Sequence, residues 1–462
     1  MSSIDLMLSI ALCIIAFVVT YSLSRRSLSS GLMSVLVTGY LYGIIRANLP
    51  STPSHFMFDC AVLGLYIPQF TKRQSAAQDH RERDLRLWIF ILIAWPLVLF
   101  CLPRQDLAIE LVGLRGAIFF LPLLLIGSRL TKNDIYRITI CLAVLNIVAF
   151  SVAAAEYFVG LESFFPHNDV TELIYRSNDA VRFGDKSVLS AYRIPSTFAN
   201  AHAYGGAMAF TLIFLIGAWT QKRRTGWRNK LVVVSIFATL MGVFIASART
   251  PFIIVLITIV VFLLNARIDV LSWALFFVLL LSVGWVVSGE KRLQRFTTLQ
   301  DSDEITERVA GSLNGTTWEI ILDNPIGNGL GGGGTSIPYF LKGRLSPPKV
   351  IGESEISRIV IEEGWIGLAL WLLFCFWIFS RRAILPTDKW LLCRRLLWFS
   401  CVAIFLTGFI GVGLLTSIPG TTLVLLGLGW VATKQDLKVP ASSKPRQRYS
   451  LRAIGEGATA VE

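Results

Sequence analysis

The sequence predicts an all-α fold: a polytopic transmembrane helical bundle of about 12 to 14 spans with two longer loop regions. Three observations carry that expectation. Hydrophobic residues make up 54% of the 462-residue chain and charged residues only 16%, against roughly a quarter charged in a soluble domain. The apolar residues gather in runs about 15 to 25 residues long, the length that crosses roughly 30 Å of hydrocarbon. The mean hydropathy of +0.62 excludes an ordinary soluble enzyme.

In order, the apolar runs fall at about 4–23, 31–48, 54–70, 87–102, 108–127, 135–160, 203–220, 231–248, 251–265, 270–288, 356–380, 396–413 and 416–432. The first has no basic residue before it and Arg25-Arg26 after it. It therefore reads as a retained span with its N-terminus outside, not as a cleaved leader. Strict alternation from there puts 27 of the 43 basic residues on the inner side, against 9 acidic ones. The net charge of +13 is then a consequence of the positive-inside rule, and no nucleic-acid partner is implied. Most connections are short, but the segments 161–202 and 289–355 are long and both fall on the outer face. Long loops in a compact chain tend to be functional, so chemistry is expected there. Residues 433–462, with Pro440, Pro445 and scattered lysines and arginines, read as a basic, disordered inner tail, which leaves 1–432 as one membrane domain.

Arg115 lies inside a span, roughly 10 Å from its outer end at about 1.5 Å per residue. An intramembrane arginine is costly and marks a functional candidate, unless it snorkels or pairs with Glu110 or Glu156. Arg249 stands in Ser247-Ala-Arg-Thr-Pro251, a tight turn between two short spans at the outer headgroup level. A lipid diphosphate lies at that depth, and a guanidinium fork matches its oxygens. The structural alternative is a cation at a helix C-terminus. The first long segment ends in Tyr192-Arg-Ile-Pro-Ser-Thr-Phe-Ala-Asn-Ala-His-Ala-Tyr-Gly-Gly206. Arg193, Asn200, His202 and Tyr204 there bring a cation, an amide, a titratable ring and a phenol to one membrane entrance, groups suited to a sugar. Alternatively Asn200 caps the following helix and the others decorate an interface.

The second long segment holds Asp323-Asn-Pro-Ile-Gly-Asn-Gly-Leu-Gly-Gly-Gly-Gly334. Gly327, Gly329 and Gly332 match G-x-G-x-x-G literally, but no strand precedes them, so a dinucleotide site is not expected. What remains is a flexible backbone able to approach a ligand closely. Thr316 and Glu319 have capping-box spacing for a short helix before it. Glu355, Arg358 and Glu362 share one helical face and suit a salt-bridge ladder. Glu353 falls outside that ladder and is the candidate general base. The four histidines, His55, His80, His167 and His202, have no metal-ligand spacing, and the seven cysteines show no paired spacing, so neither a metal nor a disulfide framework is expected.

Taken together, Leu114-Arg115-Gly116, the run Arg193 to Gly206, Ser247-Ala248-Arg249, Asn324 to Gly331 and Glu362-Glu-Gly-Trp-Ile-Gly-Leu368 resemble the O-antigen polymerase and ligase superfamily of bacterial envelope enzymes. The resemblance covers roughly residues 108–380. It implies inverting transfer of glycan from an undecaprenyl-diphosphate-linked donor on the periplasmic face of the inner membrane, with no cofactor and no essential metal. The bilayer, the lipid-linked oligosaccharide and other polysaccharide assembly proteins are the partners it implies. Ligases of the superfamily carry His-Asn where this chain has Glu353-Ser354, which moves the expectation from a ligase to a polymerase of repeat units. In this reading Arg193 and Arg249 hold the donor diphosphate, Arg115 supports them, and Glu353 or else His202 takes the acceptor proton. Asn200, Tyr204, Arg308 and Glu362 complete the substrate-binding set. A ligase and a lipid-linked oligosaccharide flippase stay as alternatives.

Overall fold

The computed structural model describes residues 3–72, 76–178, 192–221, 226–266, 322, 325–334, 337–345, 354–381, 388–408 and 417–432. Every regular element among them is helical. Seven helical units among the described residues are long and apolar enough to cross a membrane, the pattern of a multi-pass membrane protein. The apolar run at 270–288 and the tail from 433 lie outside the described residues.

Helices α1 (Ser3–Arg26), α2 (Leu28–Asn48) and α3 (Met57–Thr71) pack pairwise as an N-terminal trio. Helix α3 has 15 residues, shorter than a free-standing span, and a short 3₁₀ helix, Thr52–Phe56, leads into it. Helix α4 (Ala76–Phe100) follows, with its charged first turns at the same end as Arg25 and Lys72. The span expected at 108–127 is present as one apolar unit, Leu107–Ser128, made of two helices, α5 (Leu107–Ile118) and α6 (Leu123–Ser128). Pro122 explains the break, because it has no N–H to donate and disfavours helix in the residue before it. The gap is bridged by tight turns, Leu121 N–H to Ile118 O at 3.2 Å and Leu123 N–H to Phe120 O at 3.0 Å.

After α7 (Lys132–Val159) and the short α8 (Asp169–Asn178) come α9 (Ala201–Trp219), α10 (Trp227–Ile245) and α11 (Arg249–Ala266). Helix α9 is the axis of the bundle. It is apolar all the way round, so it has no face to give to water or headgroups, and sixteen of its nineteen residues are buried. Around it stand α7, α10, α11, α13 (Leu391–Thr407) and α14 (Gly420–Ala432). Helix α1 is the opposite case: Ile4, Met7, Ile14, Ile15 and Val18 are at least half exposed, as on a helix at the rim of a bilayer protein.

Small and polar residues fix the packing where apolar burial alone gives no register. Gly127 on α6 and Gly429 on α14 face one another's helices so closely that a Cβ on either would strike a backbone carbonyl, of Leu426 or of Leu124. Asn146 on α7 is fully buried and ties four helices together. Its Oδ1 accepts from the Tyr40 hydroxyl at 2.7 Å, and its Nδ2 donates to Thr211 Oγ1 at 2.8 Å and Thr239 Oγ1 at 2.7 Å.

The bundle has two chemically different ends. At one, Arg129 grips both oxygens of Glu82 at 2.9 and 3.0 Å, and Asp388 takes Lys132 at 2.8 Å and Arg394 at 3.1 Å. Burial would push the Asp388 carboxyl up, but bonds from Lys132 and the Trp390 N–H, with the Arg394 charge, outweigh it and hold the group below the usual carboxylate range. The other end collects α8, the 192–200 segment, the glycine loop 325–334 and the 3₁₀ helix Tyr339–Arg344, which packs against α8 and α5. This loop end is where the sequence-derived site residues belong.

Candidate functional site

The α9 entrance is built by pinning an irregular segment from both sides. Arg193 N–H donates to Asn178 O at 2.7 Å, and Ala201 N–H to Asn178 Oδ1 at 2.9 Å, so α8 holds both ends of the segment. In between, Ile44 N–H on α2 donates to Thr197 O at 3.0 Å. Ser196 sits in the left-handed region at φ 54°, unusual for a residue with a Cβ. It is held there by its N–H on Glu156 Oε2 at 2.8 Å and its hydroxyl on Ala149 O at 2.6 Å. Asn200 is the N-cap of α9, its side chain accepting Ala203 N–H at 2.7 Å, so the capping role is real.

Arg193 and His202 meet at this entrance. A guanidinium of the nearly buried Arg193 lies with its Nη1 2.9 Å from His202 Nε2. An arginine can only donate, so in this contact Nε2 is the acceptor. Tyr204, two residues on and so on the opposite side of α9, is fully buried, and its hydroxyl abuts Gly242 on α10. Just below, Gly205 lies against Ala246 and Pro251, where a Cβ would come within 3.2 Å of each. The first turn of α9 therefore packs on the α10–α11 turn that carries Arg249. Arg249 is the first residue of α11, half-buried. It follows the end of α10 at Ile245 by four residues, so it stands where the negative end of one helix dipole meets the positive end of the next.

Arg115 has a partner that sequence reasoning missed. Its fork grips Asp59 on α3, Nε to Oδ2 at 2.7 Å and Nη2 to Oδ1 at 2.5 Å, with its charge over the Phe120 ring at 5.3 Å. The two expected partners are used elsewhere. Glu110 accepts the N–H groups of Arg104 at 2.6 Å and Gln105 at 3.0 Å, and Glu156 holds Ser196. Asp59 carried a signal, a carboxylate inside an apolar run just as Arg115 is a cation inside one, and two such charges have reason to find each other.

The glycine loop packs its backbone closely against two helices. Helix α12 (Glu355–Ser380) breaks at Gly364, where φ is 69°. In an unbroken helix Trp365 N–H would bond Ile361 O. Instead Trp365 N–H donates to Pro325 O at 3.2 Å and Ile361 O accepts Asn328 N–H at 2.6 Å, so the loop takes both groups that the break sets free. On its other side Arg104 donates to Gly327 O, Gln105 Nε2 donates to Asn328 O at 2.9 Å, and Gly113 on α5 admits the backbone of Gly331 where a Cβ would clash. Above the break, Arg358 bonds Glu355 at 2.7 Å and Glu362 at 2.7 Å, all three fully buried. Glu362 is thus part of the salt-bridge ladder. Glu353, Arg308 and the pair Thr316 and Glu319 lie outside the described residues.

The structure gathers Arg193, His202 and the Arg249 turn around the first turn of α9, and it puts Arg115 with Asp59, Tyr42 and His55 near the α2–α3 connection. No protein-family model matches the chain, and no curated protein or solved structure is similar enough to name as a relative.

Proposed function

We propose that the protein is a membrane-embedded glycosyltransferase of the bacterial inner membrane, with about 12 to 14 spans and its loop end in the periplasm. It joins undecaprenyl-diphosphate-linked oligosaccharide repeats into O-antigen or exopolysaccharide. The acceptor hydroxyl oxygen attacks the anomeric carbon of the donor from the face opposite the diphosphate. The bond from that carbon to the phosphate oxygen breaks, the lipid diphosphate leaves, and the hydroxyl proton passes to Glu353 or His202. Arg193 and Arg249 neutralise the charge that collects on the leaving group, which supplies much of the catalysis by electrostatics and alignment.

The observation that carries this reading is the buried Arg193 held against His202 at an entrance packed on the Arg249 turn. A cation for a phosphate and a base for a hydroxyl stand side by side there. One observation favours a second reading. Broken helices such as α5–α6 and α12 occur in transporters, where they build mid-membrane binding sites, and a flippase for the same lipid-linked glycan would use them. Deleting the protein separates the possibilities by the glycan that accumulates. Single lipid-linked repeats outside the inner membrane mark a lost polymerase, full-length lipid-linked polymer a lost ligase, and repeats trapped inside a lost flippase.

A further inference from the structure

At the loop end, Arg46 in the last turn of α2 has no carboxylate partner among the described residues. Its Nη1 reaches the Tyr42 hydroxyl only at 3.5 Å, its charge lies 5.3 Å from the centre of the Tyr42 ring, and its Nε is buried with no hydrogen-bond partner among the described residues. A cation near the negative, C-terminal end of its own helix is well placed, but four of its five N–H donors have no partner among the described residues. Close by is His55, whose backbone carbonyl accepts the Tyr42 hydroxyl at 3.1 Å and whose ring meets Phe340 edge-on at 5.7 Å. Both Arg46 and Arg115 act on the His55 ring, and Arg115 is in turn tied to Asp59. Counting Asp59 against Arg115, the group keeps one positive charge, on Arg46.

The geometry points to a second phosphate-binding site here, with Arg46 as the charged ligand, a His55 ring N–H as a neutral donor, and the Asp59-anchored Arg115 as a supporting charge. The inference rests on the proposed reaction for its purpose. Joining two lipid-linked glycans brings two diphosphates to the protein: the donor's, which leaves, and the acceptor's, which stays bonded to its own sugar an oligosaccharide's length away. One cationic site cannot hold both. The α2–α3 group is carried by helices other than α9 and α11, and the 192–200 segment runs between them, bonded to α2 through Ile44 and to α9 through the Asn200 cap. A phospholipid headgroup offers the same phosphate chemistry as the acceptor and is the other possible source of the ligand.

The test is calorimetric titration of inorganic diphosphate into the full-length protein in nanodiscs of neutral phosphatidylcholine. Two sites are expected in the wild type. Arg46→Gln should weaken one of them at least ~10-fold, the usual cost of removing a charge-assisted bond, and His55→Phe should weaken the same one several-fold while keeping the contact with Phe340. Arg249→Gln should weaken the other. If Arg249→Gln is silent while Arg46→Gln is not, the donor assignment fails and this site survives. Repeating the titration in phosphatidylglycerol nanodiscs identifies the source: competition at the Arg46 site assigns it to headgroups, and unchanged affinity assigns it to substrate phosphate. A single binding class in the wild type, or binding by both folded α2–α3 variants equal to wild type, would overturn the inference.

Discussion

Arg193 occupies the lone pair of His202 Nε2 at 2.9 Å, which is the lone pair a general base at this entrance would use. The Nε2 lone pair of His202 is therefore masked, although the ring itself is exposed. In the proposed reaction, a donor diphosphate that drew Arg193 toward itself would expose that lone pair, so donor binding and base availability would be coupled through one bond.

That relationship separates two roles for His202. A glutamine can still accept from Arg193 through its amide oxygen but cannot take a proton. If His202 is the base, His202→Gln should leave donor affinity near wild type and lower turnover ~100-fold or more, the usual worth of a general base. If His202 only holds Arg193, the glutamine variant keeps both. Donor binding and single-turnover rates measured side by side distinguish them.

Arg249 tests the diphosphate assignment. Arg249→Lys keeps the charge and loses the fork, and it is expected to cost ~100-fold in kcat/KM, comparable to removing one oxyanion donor. Arg249→Ala should weaken donor binding as well. Near-normal polymer output from the lysine variant, with the protein inserted and folded, would leave Arg249 a structural cation.

The Arg115–Asp59 pair predicts a stability result of a particular shape. Asp59→Asn or Arg115→Gln strands a charge in low dielectric and should cost about 3 kcal/mol, the low end for a buried pair because Arg115 keeps 24% of its side chain exposed. The double variant, Asp59→Asn with Arg115→Gln, should recover much of that loss, since two neutral amides can bond each other. Thermal unfolding in detergent reads the cycle, and additive losses would mean that the two residues are not coupled.

How far the sequence reveals this architecture depends on the range of the interaction. Helix α9 is legible because its all-round apolar composition leaves burial as its one option. The α5–α6 break is legible in Pro122, a local cause, although the expected span ran through it. The break at Gly364 is not, because its stability comes from Pro325 and Asn328, bonds that no local pattern announces. The same holds for the site. The depth of Arg115 marks it as costly, but its partner lies 56 residues away, and the candidates inferred for it were nearer along the chain or along the span. Arg46 leaves no trace at all in the sequence, since a lone arginine at a helix end is an ordinary sight. Only the absence of a carboxylate around it among the described residues makes it a candidate.

Acidity should act on the α2–α3 connection. Burial first, then Arg46 and Arg115, hold His55 down from 6.5 to about 3. The ring is therefore neutral when folded and protonated when unfolded between those values, so the unfolded chain binds more protons and stability falls as pH drops through that window. His55→Gln should flatten the dependence of thermal stability on pH between 6.5 and 5 in phosphate-free buffer. An unchanged slope would place the acid-sensitive group elsewhere.

The central claim is transfer from a lipid diphosphate, and one reconstitution tests it most directly. Purified full-length protein in nanodiscs is supplied with a polyprenyl-diphosphate-linked oligosaccharide, and mass spectrometry follows the glycan and the lipid together. A polymerase yields lipid-linked oligomers and releases one polyprenyl diphosphate for each glycosidic bond formed, and Arg193→Ala slows both products equally. Intact single repeats with no lipid released, from protein that still binds the donor, would contradict the account.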